Sequence, residues 1–153
     1  MTSRLARRCA AGLAAAALGT AIAAATAAPA SAATLAPCTT LTEMTRSGHD
    51  IMVPTLKGSV SCQIGRDFAA NRTVVSRFQF TLRRCYAGLD LASPYSDEKV
   101  GELTADGYFG PRTIAALKAV QRHIGTAADG IYGPNTRDRM RFLTPDRVSC
   151  YHY

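Results

Sequence analysis

The sequence predicts an all-α domain of three helices, preceded by a disulfide-stapled N-terminal arm. Three observations carry this reading. An eight-residue pattern occurs twice at an offset of 23 residues. Apolar residues at helical spacing lie before and after each copy. Four cysteines frame these stripes in a chain that opens like an exported precursor.

The opening segment comes first. Arg4, Arg7 and Arg8 give a positive start, Leu13 to Ala28 is an uncharged Ala-rich run, and Ala30-Ser31-Ala32 is a small-residue cleavage pattern just after Pro29. That order of parts predicts a signal peptide over 1–32, cut after Ala32 or, as second choice, after Ala33. A membrane anchor would need a longer run, richer in Leu. Leu35-Ala36-Pro37-Cys38 has Pro37 where a lipoprotein box wants Gly or Ala. The expected product is secreted, extracellular or cell-wall associated, and free of the membrane after cleavage. The 153-residue chain would then leave 121 residues, too few for a TIM barrel, a dinucleotide-binding enzyme or a kinase. Of the 18 cationic side chains three leave with the signal, and none of the 11 acidic ones does, so the formal charge falls from +7 to +4. That is too little to name nucleic acid as a partner, and it suits weak attraction to an anionic surface.

The arm spans 33–70. Ile51-Met52-Val53-Pro54 and Val60-Ser61-Cys62-Gln63-Ile64 are short apolar stretches around Lys57-Gly58. They permit a loose hairpin, although Pro54 argues against a central strand. Cys9 lies in the signal, so Cys38, Cys62, Cys85 and Cys150 remain, an even number that reads as two disulfides. Three pairings are possible. Cys38–Cys62 with Cys85–Cys150 is favoured, because the first closes the arm on itself and the second ties a helix end to the C-terminal tail. Zinc is disfavoured: no C-x-x-C occurs, and His49, His123 and His152 are scattered.

The helical domain is assigned to 71–143 and a tail to 144–153. Val75, Phe78 and Leu82 mark a first helix from about Arg72 to Arg84. Next comes Asp106-Gly107-Tyr108-Phe109-Gly110-Pro111-Arg112-Thr113, repeated as Asp129-Gly130-Ile131-Tyr132-Gly133-Pro134-Asn135-Thr136. In this D-G-x-aromatic-G-P-x-T pattern the Asp can accept backbone N–H groups, and Gly107 or Gly130 allows positive φ. Gly110 and Gly133 are the expected N-caps, with Pro111 and Pro134 at the first helical position, where a missing N–H costs nothing. Thr113 and Thr136 fall in the first turn, where the hydroxyl can bond back to the loop. Ile114, Leu117, Val120 and Ile124 make the second stripe, ended by Gly125. Thr136, Met140 and Leu143 suggest a shorter third helix, stopped at Thr144-Pro145. The motif Phe78-Gln79-Phe80-Thr81-Leu82 recurs as Val120-Gln121-Arg122-His123-Ile124, and makes Gln79 and Gln121 candidate structural polar groups.

These residues carry a resemblance. Val75, Phe78-Gln79, Leu82, the two Asp-Gly loops, Val120-Gln121 and Gly125 together resemble the peptidoglycan-binding-like domain of bacterial secreted proteins, a three-helix module often appended to cell-wall hydrolases. The likeness runs from about Asn71 to Leu143, about 73 residues. It implies a compact helical fold with pseudo-twofold repetition and recognition of the glycan or stem peptide of peptidoglycan. It leaves the ligand contacts open. Cys85, Cys150 and the polar insertion Pro94-Tyr95-Ser96-Asp97-Glu98-Lys99 depart from the bare module. The cysteines and the Ala-rich signal resemble exported actinobacterial proteins of this kind, and the insertion could reshape or cover a ligand groove.

The candidate ligand-binding residues are Asp106, Tyr108, Asp129, Tyr132 and Arg112, in a groove beside the two loops. Phe109 is expected in the core, while Tyr108 is left open between the core and an outward position. An exposed ring face with directed hydrogen bonds suits carbohydrate. Arg112, Arg137, Arg139 and Arg141 read as a basic, solvated face. No catalytic set is present: H-E-x-x-H, G-x-S-x-G and phosphate loops are missing. Ser47-Gly48-His49-Asp50 reads as a polar turn, and Glu43, Glu98 and Glu102 lie in separate segments. One carboxylate per loop is too few for calcium. The expectation is a monomeric, non-catalytic cell-wall binding protein needing no cofactor or metal. Two rivals stand beside it: an extracellular protein-interaction or inhibitor module on the same fold, and a minimal cell-wall amidase or peptidase.

Overall fold

In the computed structural model residues 34–68 and 70–153 are described. The expected signal segment at 1–32 and both candidate cleavage points lie outside the described residues. The chain order is β1 (Thr40–Arg46), β2 (His49–Thr55), α1 (Arg72–Cys85), a single 3₁₀ turn (Val100–Glu102), α2 (Pro111–His123), α3 (Pro134–Arg137), β3 (Arg141–Leu143) and β4 (Cys150–His152). A three-helix region thus follows a disulfide-stapled β-hairpin arm.

The hairpin is not the one the sequence suggested: Ile51–Pro54 pairs with the preceding stretch rather than with Val60–Ile64, and around Lys57-Gly58 there is only an isolated Leu56–Ser59 bridge. β1 and β2 pair antiparallel over seven residues each, from Thr40 opposite Thr55 to Arg46 opposite His49. Ser47 and Gly48 close it with φ of 50° and 80°, the left-handed pair that matches strand twist in a two-residue turn. Lys57 and Gly58 repeat the device, with φ of 50° and 83°. Pro54 sits within β2 opposite Leu41, where a two-stranded sheet has only edges and a missing N–H is tolerated. Ile51 and Val53 are fully buried, so one face of the hairpin belongs to the core. The Ser47–Asp50 cluster is the hairpin turn and its first strand residues, and His49 stacks on Tyr151 at 3.5 Å.

Both disulfides take the favoured pairing, Cys38–Cys62 and Cys85–Cys150. The first pins the arm to itself. The second joins the last residue of α1 to the first of β4. α1 starts at Asn71, whose carboxamide oxygen accepts from the Val74 N–H at 3.0 Å. Its stripe Val75, Phe78 and Leu82 is buried against Leu117 and Val120 of α2 in one continuous core. Gly110 caps α2 with Pro111 at the first position, and Gly125 (φ 70°) ends it, as the sequence implies. Thr126 N–H reaches back to Gln121 C=O at 2.9 Å and closes the last turn.

The third helix is a correction. It covers only Pro134–Arg137, and Arg141–Leu143 is a strand paired with Cys150–His152. Met140 and Phe142 are fully buried and Leu143 nearly so. A one-turn helix extends only where each added bond repays the ordering. Here the backbone of 141–143 finds its partners in β4, which the Cys85–Cys150 bond holds beside it. The expected basic face is also corrected. Arg137 is 9% exposed, donates to the Val60 carbonyl at 2.8 Å and pairs with Asp138. Arg141 donates to the Cys85 carbonyl at 2.9 Å and lies over Tyr86. Arg137 ties α3 to the arm and Arg141 ties β3 to the end of α1, rather than both facing solvent as a stripe.

Candidate functional site

Each Asp-Gly loop is held by a buried glutamine one helix upstream. Gln79 Oε1 accepts the Gly107 N–H at 2.8 Å, while its amide nitrogen faces Asp106 Oδ1 (3.0 Å), Tyr108 C=O (2.9 Å) and Thr113 Oγ1 (2.9 Å). Gln121 repeats every contact on Gly130, Asp129, Ile131 and Thr136, at 2.8, 2.8, 2.9 and 3.1 Å. Asp106 and Asp129 each accept the N–H two residues on, at 2.8 Å. Those bonds, from Tyr108 N–H first and the Gln79 amide second, hold the Asp106 carboxyl below the usual range. Gly107 and Gly130 both sit at φ 78°.

The surroundings of the two loops differ. Around the first lies an open cavity of about 530 Å³. Tyr108 stands at its edge, 68% exposed, while Phe109 is buried at 3%. The tyrosine ring lies against the backbone of Gly110, where a Cβ would come within 2.8 Å of Cε1. Glycine there makes room for the ring, since its φ of −89° is ordinary. Arg112 forms a fork with Glu98, with Nε to Oε2 at 2.8 Å and Nη2 to Oε1 at 2.9 Å, and its guanidinium lies 4.9 Å from the Tyr95 ring centre. An exposed pair of this kind adds little stability but fixes direction. Its hydrogen bonds hold the Glu98 carboxyl low and the Arg112 guanidinium high. The first turn of α2 opens on the same cavity.

Tyr95, Glu98, Glu102 and Leu103 complete the wall. No sequence motif named them as ligand-facing. The polar run 94–99 was the available signal, and it lines one side of the cavity instead of lying apart on the surface. The three carboxylates here each have a bond inside the protein: Asp106 in the loop, Glu98 with Arg112, and Glu102 with the Lys99 N–H at 3.0 Å. Among the described residues no three or more His, Cys, Asp or Glu side chains gather to hold a metal ion, and no helix is long and apolar enough to cross a membrane.

The second loop is occupied. Ile64 of the arm exchanges two backbone hydrogen bonds with Tyr132, at 2.8 and 2.9 Å. Tyr132 is fully buried, tilted against Phe78 at 5.0 Å and Phe142 at 6.2 Å. Among the described residues its hydroxyl has no partner, and burial raises its pKa. Tyr132 is therefore withdrawn from the ligand-contact set: a ring with no exposed face cannot stack on a ligand. Aligning the two repeats already puts it opposite the core residue Phe109, with Ile131 opposite Tyr108. Asp129 remains exposed, but in a separate cavity of about 310 Å³ with Arg66 and Lys118. The structure thus gathers Asp106, Tyr108 and Arg112, and places Asp129 and Tyr132 elsewhere.

Residues 90–140, containing both loops and all of α2, match the family model described as "Putative peptidoglycan binding domain". A peptidoglycan-binding-like domain is present in this region. Curated relatives align with overlapping parts of the chain. A probable N-acetylmuramoyl-L-alanine amidase of Bacillus licheniformis is 37% identical over 71 residues, 46% of this chain and 18% of the relative. The amidase CwlL of the same organism is 41% identical over 49 residues, 32% of this chain and 14% of its own length. The amidase CwlM of Mycobacterium tuberculosis is 52% identical over 44 residues, 29% of this chain and 11% of the relative. The chain spans less than a fifth of each. No solved structure matches it.

Proposed function

We propose that this chain is a secreted, non-catalytic peptidoglycan-binding protein whose ligand enters the cavity at the first Asp-Gly loop. The carrying observation is the inequality of two otherwise equal loops. The second is covered by the arm, and the first presents Tyr108 at 68% exposure beside a fixed guanidinium. The peptidoglycan-binding-like domain at 90–140 supports the ligand class. An exposed ring face suits a sugar. Arg112 and the N-terminal turn of α2 suit an anionic group of the polymer. The boundaries we assign are 33–70 for the arm, 71–143 for the domain and 144–153 for the tail. The protein acts as a monomer without cofactor and with no nucleic-acid partner.

The test is cosedimentation with purified sacculi stripped of anionic polymer, at low and high salt. The parent should sediment at both, more weakly at high salt. Tyr108→Ala should lose most of the binding, and Asp129→Asn should keep it. Binding that disappears with the anionic polymer would favour a protein partner instead. Soluble muropeptides released during incubation would reveal an active site.

A further inference from the structure

A second cavity, of about 440 Å³, lies between the outer face of the hairpin, α1 and the β3–β4 turn. None of its lining residues falls within 90–140, so it is built by parts of this chain outside the matched domain. Leu41, Met52, Phe80 and Leu143 give it an apolar floor. Arg77 from α1 and Arg147 from the turn stand at its rim, both exposed, with Glu43 of β1. Among the described residues these three charges form no ion pair.

The turn explains why Arg147 is free. The carboxylate beside it in sequence, Asp146, is engaged by the Thr144 hydroxyl and by the Val148 N–H at 3.1 Å. Arg147 itself is held at φ 63°, an unusual conformation for a residue with a side chain, and its guanidinium lies 5.9 Å from the Phe80 ring centre. Arg83 lies over the same ring at 4.8 Å. An apolar floor under two unpaired guanidiniums complements an anion with a small apolar body, and Glu43 complements an amine on the same molecule.

We propose that this groove is a second ligand site, which takes the stem peptide of peptidoglycan through its small side chains, carboxylates and free amine. The proposal rests on the wall-binding reading above and assigns the peptide to this groove, leaving the Tyr108 cavity to the rest of the polymer. Two sites on one chain would also raise retention on an insoluble polymer beyond either alone.

The experiment is titration calorimetry of the purified protein with a sugar-free stem tetrapeptide. The parent should bind it, and the double variant Arg77→Gln/Arg147→Gln should bind at least about tenfold more weakly, as expected for losing two charge-assisted contacts. Both arginines are exposed, so thermal melting should be unchanged and serves as the folding control. Glu43→Gln should weaken the peptide with a free amine and not its N-acetylated form. Equal affinity in parent and double variant, no binding by the parent, or equally tight binding of an unrelated acidic peptide would each overturn the proposal. Sedimentation separates the two readings. A parent that sediments with sacculi but ignores the tetrapeptide loses the groove and keeps wall binding. A parent that binds the tetrapeptide through Arg77 and Arg147 but does not sediment loses the wall reading alone.

Discussion

Replacing Gln79 by Leu removes one amide that serves four groups of the first loop. Leu fills most of the same space, so the change tests hydrogen bonding more than volume. Gly107 is buried, and its N–H has Gln79 Oε1 as partner at 2.8 Å. Stranding it costs about 1–3 kcal/mol. Tyr108 C=O keeps other donors, the Gly110 N–H at 2.8 Å and the Thr113 hydroxyl at 3.3 Å, and exposed Asp106 can turn to water. Losing the remaining contacts adds about 1 kcal/mol or slightly more. The total is about 3 kcal/mol, or a fall in Tm of roughly 10 °C for a domain of this size. Gln121→Leu should cost the same, because its contacts are the same. The pair then separates stability from function. At a temperature where both variants are folded, Gln79→Leu should lose sacculus binding by releasing Tyr108, while Gln121→Leu should retain it. Thermal melting and cosedimentation read the two effects. A melting point within about 2 °C of the parent for Gln79→Leu would refute the hydrogen-bond account. Loss of binding by folded Gln121→Leu would refute the choice of loop.

Three further outcomes are expected. Gly107→Ala should destabilise more than Gly130→Ala: both need φ 78°, but the new Cβ meets the Arg72 carbonyl at 2.6 Å in the first case and the movable Ile114 Cγ2 at 2.8 Å in the second. Positive φ alone costs about 1–2 kcal/mol, and equal urea midpoints for the two variants would contradict this ordering. Asp106 has a lowered folded-state pKa, so its contribution is complete above the ordinary carboxylate range and is lost as pH falls through about 4 and below. Asp106→Asn keeps the accepting oxygen without the titration, so its stability should fall less steeply in acid; matching acid slopes would count against the loop bond. Removing Cys38–Cys62 or Cys85–Cys150, at separations of 24 and 65 residues, should cost about 3 and about 4 kcal/mol through the unfolded chain. A loss below about 1 kcal/mol for either double Cys→Ala variant would show that chain constraint is not its main role.

The loops were legible because their demands are local. Positive φ at Gly107 and Gly130, proline at the first helical position and an Asp accepting the N–H two residues on all fit within eight residues. Gln79 and Gln121 were legible as polar interruptions of buried stripes, and the helices α1 and α2 followed from spacing. The third helix was misread beyond Arg137 because Met140 and Leu143 keep helical spacing, whereas the partners of 141–143 come from a strand delivered by a disulfide to α1. Arg137 looked like surface charge because nothing near it in sequence reveals the Val60 carbonyl, 77 positions away. The sequence alone therefore determined two loops of one design, each with its glutamine, glycine and proline. Which loop stays open was decided only in three dimensions. Ile64 pairs with Tyr132 and covers the second loop, and Tyr108 is left in solvent beside the first. That choice depends on where a distant segment of the arm finds its hydrogen-bond partners, a long-range condition that no local pattern encodes.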